Sequence, residues 1–277
     1  MRRSRLVDAA YYAGQALLII VFAFPLLWVL SLSLKTGAET VQGTPALLPH
    51  DPQWSNYREV LAGTPIGRYL LNSLILVAAS VLGTLAVGLP AAYALSRFVF
   101  RGRRAFSRGM LAAQLISPLV IVVPLYQLFV QLGLVNNYAG LILVYIAISA
   151  PFLTWFLKSY LDTVPSTLDE AAMVDGCSRW RAFYSVVLPA AKPGIASAAI
   201  ISCVTVWSQF AIPYVLLDNQ SLFPASVGIV NLQATAGEIT TQYLAAGCVL
   251  AIAPVVVLFI LLQRHIVGAL TAGAVKG

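Results

Sequence analysis

Six long apolar runs dominate this chain, near residues 13–34, 70–96, 109–131, 138–157, 194–217 and 242–263, and none contains an Asp, Glu, Lys, Arg or His. About 20 apolar residues suffice to cross the hydrocarbon core of a bilayer as a helix. Inside that core every backbone N–H and C=O must be satisfied by the protein itself, which helices do within one segment. Composition agrees: 60% hydrophobic residues, 10% charged and a mean hydropathy of +0.85 belong to a polytopic membrane protein. The expectation is an all-α bundle of six transmembrane helices, forming a single membrane domain over 1–277 without a soluble appendage. Arg2, Arg3 and Arg5 ahead of an apolar run have the look of a signal peptide, but the run exceeds the usual apolar stretch of about 7–15 residues. It reads as an uncleaved first span.

Basic residues set the orientation, because they collect on the cytoplasmic side of short loops. One side holds Arg2, Arg3, Arg5, Arg97, Arg101, Arg103, Arg104, Arg108, Lys158, Arg179, Arg181, Lys192, Arg264 and Lys276; the other holds only Lys35, Arg58 and Arg68. Both termini, the 97–108 loop and the 158–193 loop are therefore predicted to be cytoplasmic. The net charge of +7 follows from this topology, since its carriers flank spans instead of forming one basic face for nucleic acid.

What the chain lacks narrows its mechanism. Proton-coupled carriers commonly place carboxylates or histidines at membrane depth, and the six runs have none. Its four lysines, at 35, 158, 192 and 276, follow Leu34, Leu157, Ala191 and Val275, so no phosphate-binding loop of the Gly-Lys type exists. No nucleophile elbow or paired-carboxylate motif suggests a membrane enzyme. Cys177, Cys203 and Cys248 are too few and scattered for a disulfide framework. His50 and His265 fall on opposite sides of the predicted membrane, so no metal site is expected.

The longest predicted cytoplasmic loop has a definite local reading. Thr167 and Glu170 form an S/T-x-x-E capping pattern, Gly176 suits a left-handed helix end, Ser178 can start a second helix, and Pro189 is expected to stop it. A cap alone needs neither the two small alanines after Glu170 nor the distant Leu188-Pro189. Glu170-Ala171-Ala172, three residues, Gly176, nine residues, Val186, one residue and Leu188-Pro189 resemble the EAA loop of permease subunits in bacterial ABC importers; only Val186, for Ile, departs. The resemblance implies that Glu170, Ala171, Ala172, Gly176, Leu188 and Pro189, within a 166–189 hairpin, couple the permease to an ATPase. It also implies a second permease subunit, two ATP-binding subunits that hold ATP and Mg, an extracytoplasmic solute-binding protein, and a multi-pass location in the bacterial cytoplasmic membrane. This chain itself would carry no cofactor.

Other segments resemble the carbohydrate, maltose-type branch of these permeases. They are Pro45-Ala46-Leu47-Leu48-Pro49 with Asn56-Tyr57, Asn72-Ser73-Leu74, Ala92-Tyr93-Ala94-Leu95-Ser96-Arg97, Pro124-Leu125-Tyr126, and the ending Gly268 to Gly277. The implied cargo is a sugar or oligosaccharide. The EAA loop by itself is shared with importers of amino acids, peptides and phosphate, and a solitary channel or ion-coupled carrier is the more distant alternative. Where many sugar-importer relatives have Trp-Asn-Glu-Phe, this chain has Trp207-Ser208-Gln209-Phe210, an amide in place of an acid. Sugars need hydrogen-bonding groups and an apolar face to stack on, which nominates Gln114, Tyr126, Trp207, Gln209 and Tyr214 for the substrate path. On a continuous helix at about 100° per residue Trp207 and Tyr214 share a face, and Gln209 joins them only if the helix unwinds near Pro213.

Overall fold

The computed structural model describes residues 5–41, 46–235 and 240–274, with side chains described over 11–41, 46–232 and 240–261. In chain order the helices are α1 (Arg5–Ser33), α2 (Gly37–Val41), α3 (Ser55–Gly63), α4 (Ile66–Arg97), α5 (Arg103–Ala113), α6 (Pro118–Leu132) and α7 (Tyr138–Leu161). They continue with α8 (Thr167–Val174), α9 (Arg179–Ala182), a π-helical turn over Phe183–Val187, α10 (Leu188–Ala190), α11 (Lys192–Trp207), α12 (Ala211–Leu216), α13 (Ala225–Thr235) and α14 (Thr241–Ala274).

Four of the six apolar runs are single helices long enough to cross a membrane, in α1, α4, α7 and α14. The third and fifth runs are not, and proline chemistry explains both. Pro118 disfavours helical backbone in the residue before it, and Ser117 is extended at φ −64°, ψ 133°. Ser117 then caps a new helix by accepting a hydrogen bond from Leu119 N, so α5 and α6 meet at 92°. Pro118 thus stands at the first position of a new helix. In the fifth run α11 ends at Trp207 and α12 begins at Ala211, with Ser208, Gln209 and Phe210 outside any helix. Pro213 lies in the first turn of α12, where a missing N–H leaves no intrahelical bond unmade.

The described contacts sort the chain into two compact units, one of Met1–Gly67 with Gly228–Ala253 and one of Arg68–Val227 with Pro254–Gly277. In the first, Asn56 Nδ2 donates to the carbonyls of Ser33 and Lys35, both at 2.9 Å, and Tyr57 shares a hydrogen bond with Ser33. The Asn56-Tyr57 pair therefore fastens α3 to the end of α1. Thr36 and Glu39 make a reciprocal capping box around α2: Thr36 N donates to Glu39 Oε2 at 2.9 Å and Glu39 N to Thr36 Oγ1 at 3.3 Å.

In the second unit α4, α7 and α11 pack through glycines. A Cβ on Gly83 would lie 2.3 Å from Ile146 Cδ1, and one on Gly194 2.3 Å from the Tyr160 ring. Asn72 Nδ2 donates to the carbonyls of Ser221 and Phe223 while Ser73 Oγ accepts from Ala225 N, so α4 holds the loop ahead of α13. A buried apolar cluster joins Ala92 and Tyr93 of α4, Leu153, Leu157 and Leu161 of α7, and Phe183 and Val187 of the π turn. It is the floor on which the 166–189 hairpin stands.

Candidate functional site

The hairpin is built by local chemistry at its tip. Gly176 adopts φ 88°, and behind it Cys177 N donates to Ala172 O at 2.9 Å and Gly176 N to Met173 O at 3.1 Å. This is the six-to-one and five-to-two pairing of a Schellman ending, which requires a left-handed residue at the glycine. Ser178 caps the returning helix, its Oγ accepting from Arg181 N at 3.3 Å. Both features follow the sequence.

Two others do not. Ser166 is already helical at φ −66°, ψ −20°, so Thr167 is the first residue of α8 and makes no side-chain cap. The 167–170 capping box is absent, and Glu170 is left exposed with no hydrogen bond to its carboxylate among the described residues. Pro189 does not stop the second helix either. The π turn over Phe183–Val187 widens the spiral just before it, Leu188 N reaching back to Phe183 O, and the helix continues to Ala190. Such a bulge absorbs the ring of a proline that a regular helix would reject.

The hairpin presents one face and buries the other. Glu170, Ala171, Val174, Trp180 and Tyr184 are exposed, while Ala172, Phe183 and Val187 are buried in the floor. The two alanines thus have different surroundings: Ala172 is buried where α8 meets the floor, and Ala171 stands on the exposed face. Leu188 packs at the edge of the cluster, and Pro189 is exposed.

Charge fixes the hairpin to α4. Asp169, only 5% exposed, accepts from Tyr93 Oη on one carboxylate oxygen and from Arg97 Nε on the other, both at 2.8 Å. Arg97 Nη2 also donates to Val164 O at 2.8 Å, and the Tyr93 ring packs on Phe183 with centroids 4.7 Å apart. A buried carboxylate is tolerated because its lone pairs are met by an arginine and a phenol. None of Tyr93, Arg97 and Asp169 was a candidate site residue; Tyr93 and Arg97 entered within the family-like segment 92–97, and the sign at Asp169 is that it adjoins Glu170.

The substrate-path candidates fall in separate places. Gln114, at the end of α5, donates to Ile148 O at 3.1 Å and borders a cavity of ≈ 180 Å³ with Ser149, Phe152, Ser202 and Thr205. Trp207 lines a smaller pocket of ≈ 60 Å³ with Leu74, Val77, Val204, Pro254 and Leu258. The break after Trp207 removes the continuous helix on which its shared face with Tyr214 depends. Tyr214, 58% exposed, stacks on Phe210 with centroids 5.2 Å apart. The carbonyl of Gln209, which Pro213 cannot serve, accepts from Ser226 Oγ at 2.7 Å. Tyr126 is partly exposed on α6, which packs against α12. The last residues of the Gly268–Gly277 ending, 275–277, and the side chains of the whole ending lie outside the described residues.

Residues 84–271 match the family of binding-protein-dependent transport system inner membrane components. Over 267 residues, 95% of this chain and 88% of the other, it is 35% identical to the diacetylchitobiose uptake system permease protein NgcG of Streptomyces coelicolor. It is 32% identical to the trehalose transport system permease protein SugB of Mycobacterium tuberculosis, covering 97% of this chain and 98% of that protein. The fold is that of a chain in the crystal structure of a bacterial ABC transporter for import of the acidic polysaccharide alginate, with a TM-score of 0.83 at 23% identity over 95% of this chain and 99% of that one. Family match and full-length likeness to permeases lead to one assignment: the chain belongs to the binding-protein-dependent transport system inner membrane components, as a multi-pass permease subunit of an ABC importer.

Proposed function

We propose that this permease imports a sugar or oligosaccharide into the cytoplasm, with the 166–189 hairpin as its ATPase-coupling element. The cargo rests on relatives named for diacetylchitobiose, trehalose and galactooligosaccharides, and on the aromatic and amide side chains of the α5–α6 and α11–α12 segments. The working assembly joins this chain to a second permease, two ATPase subunits that bind ATP and Mg, and an extracytoplasmic solute-binding protein. Both ends of the chain and the hairpin face the cytoplasm, as the distribution of basic residues favours.

The observation that carries the coupling role is the division of labour within the hairpin. An exposed face with Glu170, Trp180 and Tyr184 is available to a partner, while Asp169 fastens α8, the helix of Glu170, to α4. Closure of the ATPases would move α8 as a rigid lever, and α4 with it, tilting the bundle between outward and inward access. The test uses the complete transporter in proteoliposomes. Gly176→Val strains a left-handed residue by about 1–2 kcal/mol, with no neighbour to clash against, so it misplaces the hairpin tip. Glu170→Ala removes an exposed side chain that caps nothing, so the chain keeps its stability and the defect is confined to ATPase docking. Both variants should lose substrate-stimulated ATP hydrolysis; normal coupled transport in both removes the role.

A further inference from the structure

A cavity of ≈ 990 Å³ opens beside α5, lined by Phe100, Arg103, Arg104, Arg108, Trp155 and Lys158 among others. Its basic residues share one side of α5: from Arg103, Arg104 lies about 100° and Arg108 about 140° round the helix. α5 packs along α7, from the basic first turns beside Lys158 to Gln114, which donates to Ile148 O midway along α7, so those first turns stand at the level of the end of α7. Trp155 and Lys158 are in the last two turns of α7, and Arg97 ends α4 nearby. That level is the headgroup layer, on the same side as the hairpin.

The arginine charge in the cavity is not neutralised by any carboxylate among the described residues. Lys158 has its partner in Asp162 at 2.5 Å, and that carboxylate also accepts from Ser96 Oγ at 2.7 Å. Among the described residues Arg103 reaches only the carbonyls of Phe98 and Ser96, at 3.5 Å each. Arg104 and Arg108 have no ion pair among the described residues. At the rim Val99 is 93% exposed and Phe100 46%. Guanidinium groups recognise phosphate oxygens in pairs, and an indole suits the boundary between headgroup and acyl chain. An apolar rim beside a basic pocket calls for a ligand with a phosphate and a hydrocarbon tail.

We propose that this cavity holds the headgroup phosphate of an anionic phospholipid, with an acyl chain against Val99 and Phe100. The leaflet is cytoplasmic under the orientation proposed above, but the site itself does not depend on the cargo. Lipid retention is therefore measured without transport, so a failure here is distinct from a failure of the sugar reading. The assembled transporter is exchanged into nanodiscs of phosphatidylcholine with increasing phosphatidylglycerol, and bound lipid is read by native mass spectrometry. At about 1 kcal/mol per basic residue near the surface, Arg104→Gln or Arg108→Gln lowers apparent affinity about fivefold, and both together about thirtyfold. Arg58→Gln, on the opposite side by the basic-residue topology, leaves retention unchanged, and the Arg104→Lys/Arg108→Lys pair keeps most of it. Should the double glutamine variant fail to assemble, the two single variants carry the comparison. Unchanged retention in the glutamine variants overturns the proposal, as does displacement of the lipid by inorganic phosphate alone, which would make this a soluble-anion site.

Discussion

Asp169 decides whether the hairpin and α4 move together. Its carboxylate takes one hydrogen bond from Tyr93 and one from Arg97, and the ion pair is nearly closed to solvent, at 11% and 8% side-chain exposure. Breaking a buried pair by removing one charge costs about 3–5 kcal/mol, because the remaining ion is left uncompensated. Asp169→Asn keeps an acceptor for Tyr93 but offers Arg97 no carboxylate, so α8 should loosen on its floor. The expected phenotype is continued ATP hydrolysis with fewer substrate molecules carried per ATP, measured in proteoliposomes. Arg97→Lys keeps the charge yet has a single head that cannot serve both Asp169 and Val164 O, and should fall between. An unaltered transport-to-ATP ratio in Asp169→Asn would show that the hairpin transmits motion through apolar packing alone. Glu39 is a second carboxylate with a defined task. Backbone hydrogen bonds from Thr36 and His50 hold it from its ordinary 4.5 down to about 2. A depressed carboxylate stabilises its cap above the ordinary value and releases it as pH falls through the folded one. A carboxyl-carbon titration of Glu39 should therefore show protonation near pH 2, with loosening of α2 across the window below 4.5; an ordinary titration curve would deny the capping box.

At the scale of elements, close helix approach depends on glycines that face rings and branched side chains. Gly194→Ala would set a Cβ 2.3–2.7 Å from three atoms of the Tyr160 ring, and overpacking of this kind costs about 1–3 kcal/mol. Thermal unfolding in detergent should fall for Gly194→Ala and recover in part when Tyr160 is also truncated. Gly67→Ala, with nothing within 4 Å of the added carbon, should not destabilise. Equal behaviour of the two alanine variants would mean that α7 and α11 separate freely. The same scale shows what the sequence could disclose. Gly176 and Ser178 were readable because a left-handed turn and a helix cap are local requirements of the backbone. Among the described side chains the Thr-x-x-Glu pattern occurs at Thr36 and Thr167, and of these two only the first makes the box; a helical Ser166 after Pro165 puts Thr167 inside its helix. Pro213 was legible as a disturbance, but neither it nor Pro118 was legible as a helix restart, since the outcome depends on whether Ser117 can cap and Ser226 can serve a freed carbonyl. Arg97 and Asp169 are 72 residues apart. No periodicity connects them, so only the packed fold reveals their pairing.

For the whole molecule, exposed apolar surface has to be divided between lipid, partners and the substrate path. Leu17 and Phe22 of α1, 62% and 75% exposed, have the bare apolar character of a helix facing acyl chains or a second permease. The Phe210–Tyr214 stack differs, since its rings lie 24° from parallel beside a break in the helix and one carries a hydroxyl. Sugars are held by such combinations of flat apolar rings and hydrogen-bonding groups. Trp207 sits in an apolar pocket instead, so truncating it removes packing before it removes any contact with cargo. The two aromatic residues that look equivalent in sequence should therefore separate in experiment. Trp207→Ala should lower thermal stability and the yield of assembled transporter. Tyr214→Ala should assemble normally and raise the sugar concentration needed for half-maximal uptake several-fold, whereas Tyr214→Phe keeps the ring and should retain most uptake. If Tyr214→Ala imports sugar like the wild type at every concentration, this stack is a packing surface. The path would then run through the cavity beside Gln114 or through the partner permease.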